Sequence, residues 1–399
     1  MTKRKFYLRS LYWLLAAAVL GFIGGALNDM TFSFFLAPLL GAGWAYFVLK
    51  PAIKSECVFS KGNGPRIAPF LGLGYVIVEF ALVIFSWIIA STTIGTKDWM
   101  QVALEKFSGY MFTDGYDMFI TPENDVYVVG NRCYKTSLSD CPMLWINGQP
   151  QEIGKVGNAN FASNVFVQGS NVYATVYEVD RNINYLWHNG KISLSSYHTF
   201  NSLFVKDNDV YIVGDDFIDD EFRPAMWKNG EKQFISDQRG VANSIFIDED
   251  KVYIAGTLFN ETGNLPVLWI DNELNVLAEE GSARAVCVKD DNVYVIGSIK
   301  NDDKTQSALW TNGEVQYLNM EEPKCITVAN DKIYIGGGNG YHPNLWISGE
   351  DVSLPENLRY YINSIKFHNG KLYFTTGSVG PSPLWTFDGT SFENVPFNK

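Results

Sequence analysis

Carboxylates, histidines and cysteines are the side chains of this sequence that would do chemistry, and their spacing decides which chemistry is open. Asp215, Asp216, Asp219, Asp220 and Glu221 lie close together, as do Asp248, Glu249 and Asp250. Such groups offer oxygens to calcium or to a basic partner, yet neither follows the spacing of a calcium loop. The second sits between two apolar runs and reads as a hairpin turn, and the first reads as solvated acidic surface. His188, His198, His342 and His368 are dispersed, without metal-ligand spacing. No Ser, Thr or Cys stands in a nucleophile motif. The run Gly336-Gly337-Gly338-Asn339-Gly340 leads into a strand rather than a helix, so phosphate cradling is not expected. No catalytic residue, cofactor or metal is assigned, and a non-enzymatic role is favoured.

Small polar residues recur before apolar stretches: Asn164, Asn201-Ser202, Asn243-Ser244 and Asn363-Ser364. Two readings stand open for them. They would ring a binding mouth, or they would terminate strands by bonding the backbone. Cys133 and Cys141 flank one loop and would close a short disulfide in an oxidising compartment, whereas Cys287 and Cys325 sit in apolar contexts as small hydrophobes. Glu79 stands alone in an apolar run, where a carboxyl group must be protonated, paired or turned inward, by a hydrogen bond to a neighbouring helix or as part of a proton path.

The elements that would position these residues follow from a repeat. Val126-Tyr127-Val128-Val129-Gly130 returns at Val210, Val252, Val293 and Ile333, with weaker copies at Val172-Tyr173 and Leu372-Tyr373. A second phrase follows each, at Leu144-Trp145, Leu186-Trp187, Met226-Trp227, Leu268-Trp269, Leu309-Trp310, Leu345-Trp346 and Leu384-Trp385. The tyrosines are 38 to 46 residues apart, the period of a propeller blade. Asn-Gly at 147–148, 189–190, 229–230 and 312–313 accepts the positive φ of a type I′ turn, so a fourth strand folds straight back. The expectation is an all-β seven-bladed propeller over 116–399, four antiparallel strands per blade. Repetition at strand centres assigns the Tyr and Trp side chains to packing between blades. The Tyr to Trp spacing varies from 12 to 18 residues, which places insertions in second-to-third-strand loops on one face, where binding residues tend to sit.

These phrases resemble the Val-Tyr-x-x-Gly and Leu-Trp-x-Asn-Gly propeller repeats common in uncharacterised bacterial envelope proteins and, more distantly, kelch repeats. The resemblance implies the fold and is nearly silent on function.

The first 95 residues differ in kind. They hold eight Lys/Arg and three Asp/Glu, leaving 23 and 40 for the remainder. Uncharged or nearly uncharged runs at about 10–28, 30–49 and 67–94 read as three transmembrane helices, followed by a linker over 96–115. Lys3, Arg4, Lys5 and Arg9, with Lys50, Lys54, Lys61 and Arg66, place the N-terminus and the second connection in the cytoplasm and the propeller outside it, as in a bacterial inner-membrane protein. Ala17, Gly21 and Gly25 form a small-residue stripe through which an oligomer would pack. The acidic body argues against nucleic acid and other anionic partners. The expected function is a membrane-anchored binding module for a protein, peptide or glycan at the loop face. A quinoprotein-like oxidoreductase is the alternative, although the Ala-x-Asp-x-x-Thr-Gly-Lys pattern is absent, and a ligand sensor signalling through the membrane helices is a third.

Overall fold

In the computed structural model the described residues are 110–134, 140–157, 160–261, 263–302, 304–340, 342–378 and 382–397, all within the unit Gly109–Lys399. The three expected spans and Glu79 lie outside them. Among the described residues no helix is long and apolar enough to cross a membrane.

The chain runs as a series of four-stranded antiparallel meanders. The first is β1 (Tyr110–Ile120), β2 (Val126–Tyr134), β3 (Asp140–Ile146) and β4 (Gln149–Glu152), so the first strand begins inside the segment read as linker. Next come β5 (Phe161–Gln168), β6 (Asn171–Glu178), β7 (Ile183–His188) and β8 (Lys191–Ser196), then β9 (Thr199–Lys206), β10 (Asp209–Ile218), β11 (Glu221–Lys228) and β12 (Glu231–Phe234). The middle of the chain supplies β13 (Gly240–Asp248), β14 (Lys251–Asn260), β15 (Gly263–Ile270), β16 (Glu273–Val276), β17 (Gly281–Lys289), β18 (Asn292–Asn301), β19 (Lys304–Thr311) and β20 (Glu314–Leu318). The last strands are β21 (Pro323–Ala329), β22 (Lys332–Asn339), β23 (His342–Ile347), β24 (Glu350–Asp351), β25 (Ile362–His368), β26 (Lys371–Ser378), β27 (Leu384–Phe387) and β28 (Phe392–Asn394).

Side-chain oxygens explain why the repeated phrases travel together. Asn147, Asn189, Asn229 and Asn312 adopt φ between 46° and 53°, as the first residue of a type I′ turn must. Each then accepts, through Oδ1, the N–H of the valine of the Val-Tyr phrase in the second strand: Val126 at 2.8 Å, and Val172, Val210 and Val293 at 2.9 Å. The turn residue thus ties the third strand to the second. The glycine of Val-Tyr-x-x-Gly has an equally local cause. A Cβ on Gly214 or Gly297 would lie 2.0 Å from the carbonyl oxygen of Thr199 or Ser282, which the inner strand presses against it.

The core lies between sheets. Tyr253, Ala255 and Leu268 of one meander pack on Ala283, Val286, Val295 and Trp310 of the next, and the same arrangement recurs around the molecule. Trp145, Trp269 and Trp310 are at most 1% exposed, in keeping with a packing role for the repeated tryptophans. The innermost strands follow one another around a closed ring, β1 against β5, β5 against β9, and so on to β21 against β25 and β25 against β1.

The expected seven-bladed propeller is corrected in its sheets. Five four-stranded blades stand separately: β5–β8, β9–β12, β13–β16, β17–β20 and β21–β24. The first and last meanders are merged into one eight-stranded sheet, because Thr113 and Asp114 of β1 pair with Ser378 and Gly377 of β26. A strand starting at Tyr110 is long enough to reach its neighbour's second strand, which a strand beginning at 116 would not be.

Candidate functional site at the loop face

Every innermost strand carries a β-bulge, near its start in β5, β9, β13, β17, β21 and β25 and past the middle of the longer β1, which leaves one residue unpaired and re-aims its side chain. The bulged residues are Tyr116, Ser163, Asn201, Asn243, Arg284, Lys324 and Asn363. The backbone geometry repeats while the side chain does not, so the rim carries aromatic, hydroxyl, amide and cationic groups in different sectors.

The Asn-Ser pairs predicted at this rim join neighbouring inner strands. Asn201 donates through Nδ2 to the Ala242 carbonyl at 3.0 Å, Asn243 to Ala283 at 2.8 Å, and Asn363 to Gly115 at 2.8 Å. Ser202 and Ser244 accept the N–H groups of Ile245 and Val286, both at 3.3 Å. Ser364 donates to Asp117 Oδ1 at 2.7 Å, and Asp117 Oδ2 accepts the Val165 N–H at 3.1 Å. Burial pushes the Asp117 carboxyl upward, against the pull of Lys366 and these hydrogen bonds.

Three residues beyond each bulge, Phe119, Phe166, Phe204 and Phe246 meet in a chain with ring centroids 4.8, 5.0 and 5.4 Å apart. Cys287, Thr327 and Lys366 hold the same register on the other inner strands. One arc of the axis is therefore closed by phenylalanine and the other carries a thiol, a hydroxyl and an ammonium.

Outward from the rim, a polar groove of about 920 Å³ runs between the β17–β20 and β21–β24 blades, lined by Arg284, Lys304, Gln306, Asn319, His342 and Asn344 among others. Burial, and then the nearby Arg284 charge, holds the Lys324 ammonium below its ordinary range. A smaller cavity of about 290 Å³ lies where β25 and β26 meet β1, lined by Asp114, Tyr116, Tyr360, Tyr361, Asn363 and Gly377.

No family model and no curated protein matches this chain. Among solved structures it is similar to the β-propeller domain of the Trilobed protease from Pyrococcus furiosus, at 12% identity and a TM-score of 0.49, over 73% of this chain and 98% of that one. It is also similar to BamB from Moraxella catarrhalis, at 12% identity and a TM-score of 0.39, over 69% of this chain and 84% of that one. Similarity to Pyrococcus horikoshii acylaminoacyl peptidase, at 14% identity and a TM-score of 0.44, spans 73% of this chain and about half, 53%, of that one. The described residues form a β-propeller. That conclusion rests on the strand order and ring closure above, and the fold hosts unrelated functions.

The acidic cluster divides in two. Asp215 and Asp216 are buried in β10, 6% and 0% exposed, whereas Asp219 and Asp220 form the exposed two-residue turn to β11 with φ of 53° and 63°. Asp216 faces His198 Nδ1 at 2.5 Å and pairs with the Lys232 ammonium. Thr199 and Asn201 donate to Asp215, whose carboxyl is nonetheless raised by burial. The reading of all four as solvated surface is thus corrected, because β10 and β11 continue past Gly214 as a paired hairpin. Extra residues between the repeated Tyr and Trp lengthen both strands here rather than opening a loop.

The expected disulfide is also corrected. Cys133 lies opposite Asp140 and Cys141 opposite Arg132, so the two thiols point to opposite faces of the β2–β3 pair and no disulfide joins them. Burial and Asp140 push the Cys133 thiol up to about 11. Among the described residues no group of three or more His, Cys, Asp or Glu side chains converges to hold a metal ion.

Proposed function

We propose that this chain is a non-enzymatic binding module that reads a protein, peptide or glycan with the loop face of its propeller. One observation carries the reading: the bulge repeats around the rim, yet its side chain differs in type from sector to sector, and one sector opens into the polar groove beside Arg284 and Lys304. Packing explains residues that recur in every blade. It does not explain a position where the backbone is constant and the chemistry changes. The proposal further places the chain in a bacterial envelope, anchored through residues 1–95 with the propeller outside the cytoplasm, and this part is supported by the uncharged runs and the Lys/Arg distribution.

The test is a screen of the purified full-length chain against glycan and peptide arrays. It is repeated with Arg284→Ala/Lys304→Ala in the groove and with Lys332→Ala on the opposite, tight-turn face. Loss of the best array signal in the groove variant alone is expected. Binding abolished only by the tight-turn substitution would overturn the assignment of the face.

A further inference from the structure

The tyrosines of the Val-Tyr phrase are packing residues. Tyr116, Tyr360 and Tyr361 stand outside that phrase, and the ring closure gathers them around one small cavity. Tyr116 is a bulged residue held in an aromatic row, 5.1 Å from Phe161, which lies 5.7 Å from Tyr177. Tyr360 adopts φ 67°, a left-handed conformation that a bulky side chain takes only when its surroundings impose it, and such residues cluster at ligand sites. Gly377 forms part of the wall. A Cβ there would lie 2.7 Å from Asp114 Oδ1 and 3.0 Å from Tyr360 Cγ, so the bare backbone lets carboxyl and ring approach each other.

Asp114 is the acid of this cavity. Among the described residues no cation pairs with it, and burial together with Asp140 pushes its carboxyl up to about 6. Tyrosine already holds a cation nearby: the Lys324 ammonium lies 4.2 Å from the centroid of the Tyr361 ring, although Lys324 does not line the cavity. Tyrosine rings lining a cavity beside an unpaired carboxylate make the environment in which an organic cation is recognised, through the ring quadrupole and the charge together.

We propose that the cavity bounded by Asp114, Tyr116, Tyr360, Tyr361, Asn363 and Gly377 is a binding site for an alkylammonium group. Its volume of about 290 Å³ suits a headgroup rather than a drug-sized molecule. The inference rests on the loop-face reading and adds a ligand class to it. An alkylammonium group occurs in soluble choline and in phosphatidylcholine, and the experiment separates these sources.

The experiment is calorimetric titration of the purified full-length chain with choline and with its uncharged isostere 3,3-dimethyl-1-butanol. Choline should bind at least about tenfold more tightly, because only the cation draws on the rings and the carboxylate. Asp114→Asn should weaken choline about tenfold while leaving the weak binding of the isostere unchanged. Tyr116→Phe should retain binding, because the ring is kept, and Gly377→Ala should reduce it by filling the cavity. Sedimentation with phosphatidylcholine vesicles, against phosphatidylglycerol vesicles, then assigns the source: vesicle capture lost in Asp114→Asn indicates a lipid headgroup, and choline binding without capture a soluble ligand. Equal affinity for choline and the isostere, or choline binding unaffected by Asp114→Asn, overturns the proposal. Array binding sensitive to the Arg284/Lys304 pair but not to Asp114→Asn would leave the loop-face reading standing without the cage.

Discussion

Removing Lys232 should destabilise the fold more than removing the aspartate it pairs with. The Asp216 side chain is fully buried, whereas those of Lys232 and His198 are about one third exposed, at 33% and 29%. Lys232→Ala therefore leaves a carboxylate that cannot reach water with His198 Nδ1 as its remaining partner, and breaking a buried pair in this way costs up to about 3–5 kcal/mol. Asp216→Asn leaves an ammonium that can swing toward solvent and an amide that still accepts a hydrogen bond, so the loss falls to roughly 1–2 kcal/mol. Asp219→Asn/Asp220→Asn, at the exposed turn, should stay within about 0.5 kcal/mol of the parent. At roughly 2–4 °C per kcal/mol for a domain of this size, the three variants should fall in that order over about 6–20 °C, 2–8 °C and at most 2 °C. Thermal unfolding of the full-length chain, followed by tryptophan fluorescence, measures the series. A Lys232→Ala variant no less stable than Asp216→Asn would refute the claim that the buried carboxylate dominates, and a turn variant as unstable as either would refute the division of the cluster.

Other expectations concern the rim, the cavity and the core. Choline affinity should weaken as pH falls through about 6, the value to which Asp114 is raised, and Asp140→Asn should move that midpoint downward by removing the second carboxylate; a flat profile would contradict the role of Asp114. Because the folded value lies above the ordinary 3.8, the folded chain holds this proton longer, and the associated stability is present at low pH and lost as pH rises through about 6. Asp114→Asn should consequently raise stability at neutral pH by about 1–2 kcal/mol, measured by urea unfolding. Asn363→Ala, which deletes the donor to the Gly115 carbonyl, should lower stability by about 1 kcal/mol, with Asn363→Asp giving no rescue because a carboxylate cannot donate. Trp269→Ala should cost about 3–5 kcal/mol, and solubility equal to the parent would argue against its burial between blades. A reporter active only outside the cytoplasm, fused after Lys399, should be active, and activity confined to the cytoplasm would exclude the proposed orientation.

Local pattern was legible where one physical cause repeats. The Val-Tyr and Leu-Trp phrases located the second and third strands because inter-blade packing fixes those side chains in every meander. The Asn-Gly turns were read for their positive φ, but their second task, accepting the valine N–H, is invisible without the register. Asp215 and Asp216 were misread because strand alternation near a hairpin tip is set by how far pairing continues, and the polar composition there disguised a paired segment. Cys133 and Cys141 looked well spaced for a disulfide, yet the period-two alternation of β2 and β3 sends them apart. The tyrosine cavity was beyond reach of the sequence, since Asp114 and Tyr116 are brought to Tyr360, Tyr361 and Gly377 only by closure of the ring. A usable signal did exist in the paired Tyr360-Tyr361 just before an innermost strand, a position outside the repeated phrases.

The eight-stranded sheet puts that cavity at the seam where the two ends of the propeller meet. One wall comes from β1 and the other from β25, β26 and the segment before them, so the pocket exists only while the circle is shut. A ligand there would act as a clasp. Its binding energy would count against any fluctuation that parts the first meander from the last, and by thermodynamic linkage occupancy would slow fraying that begins at this join while leaving the five separate blades untouched. Amide exchange at Thr113, Asp114 and Gly377 would then report occupancy more directly than any change in the blades themselves.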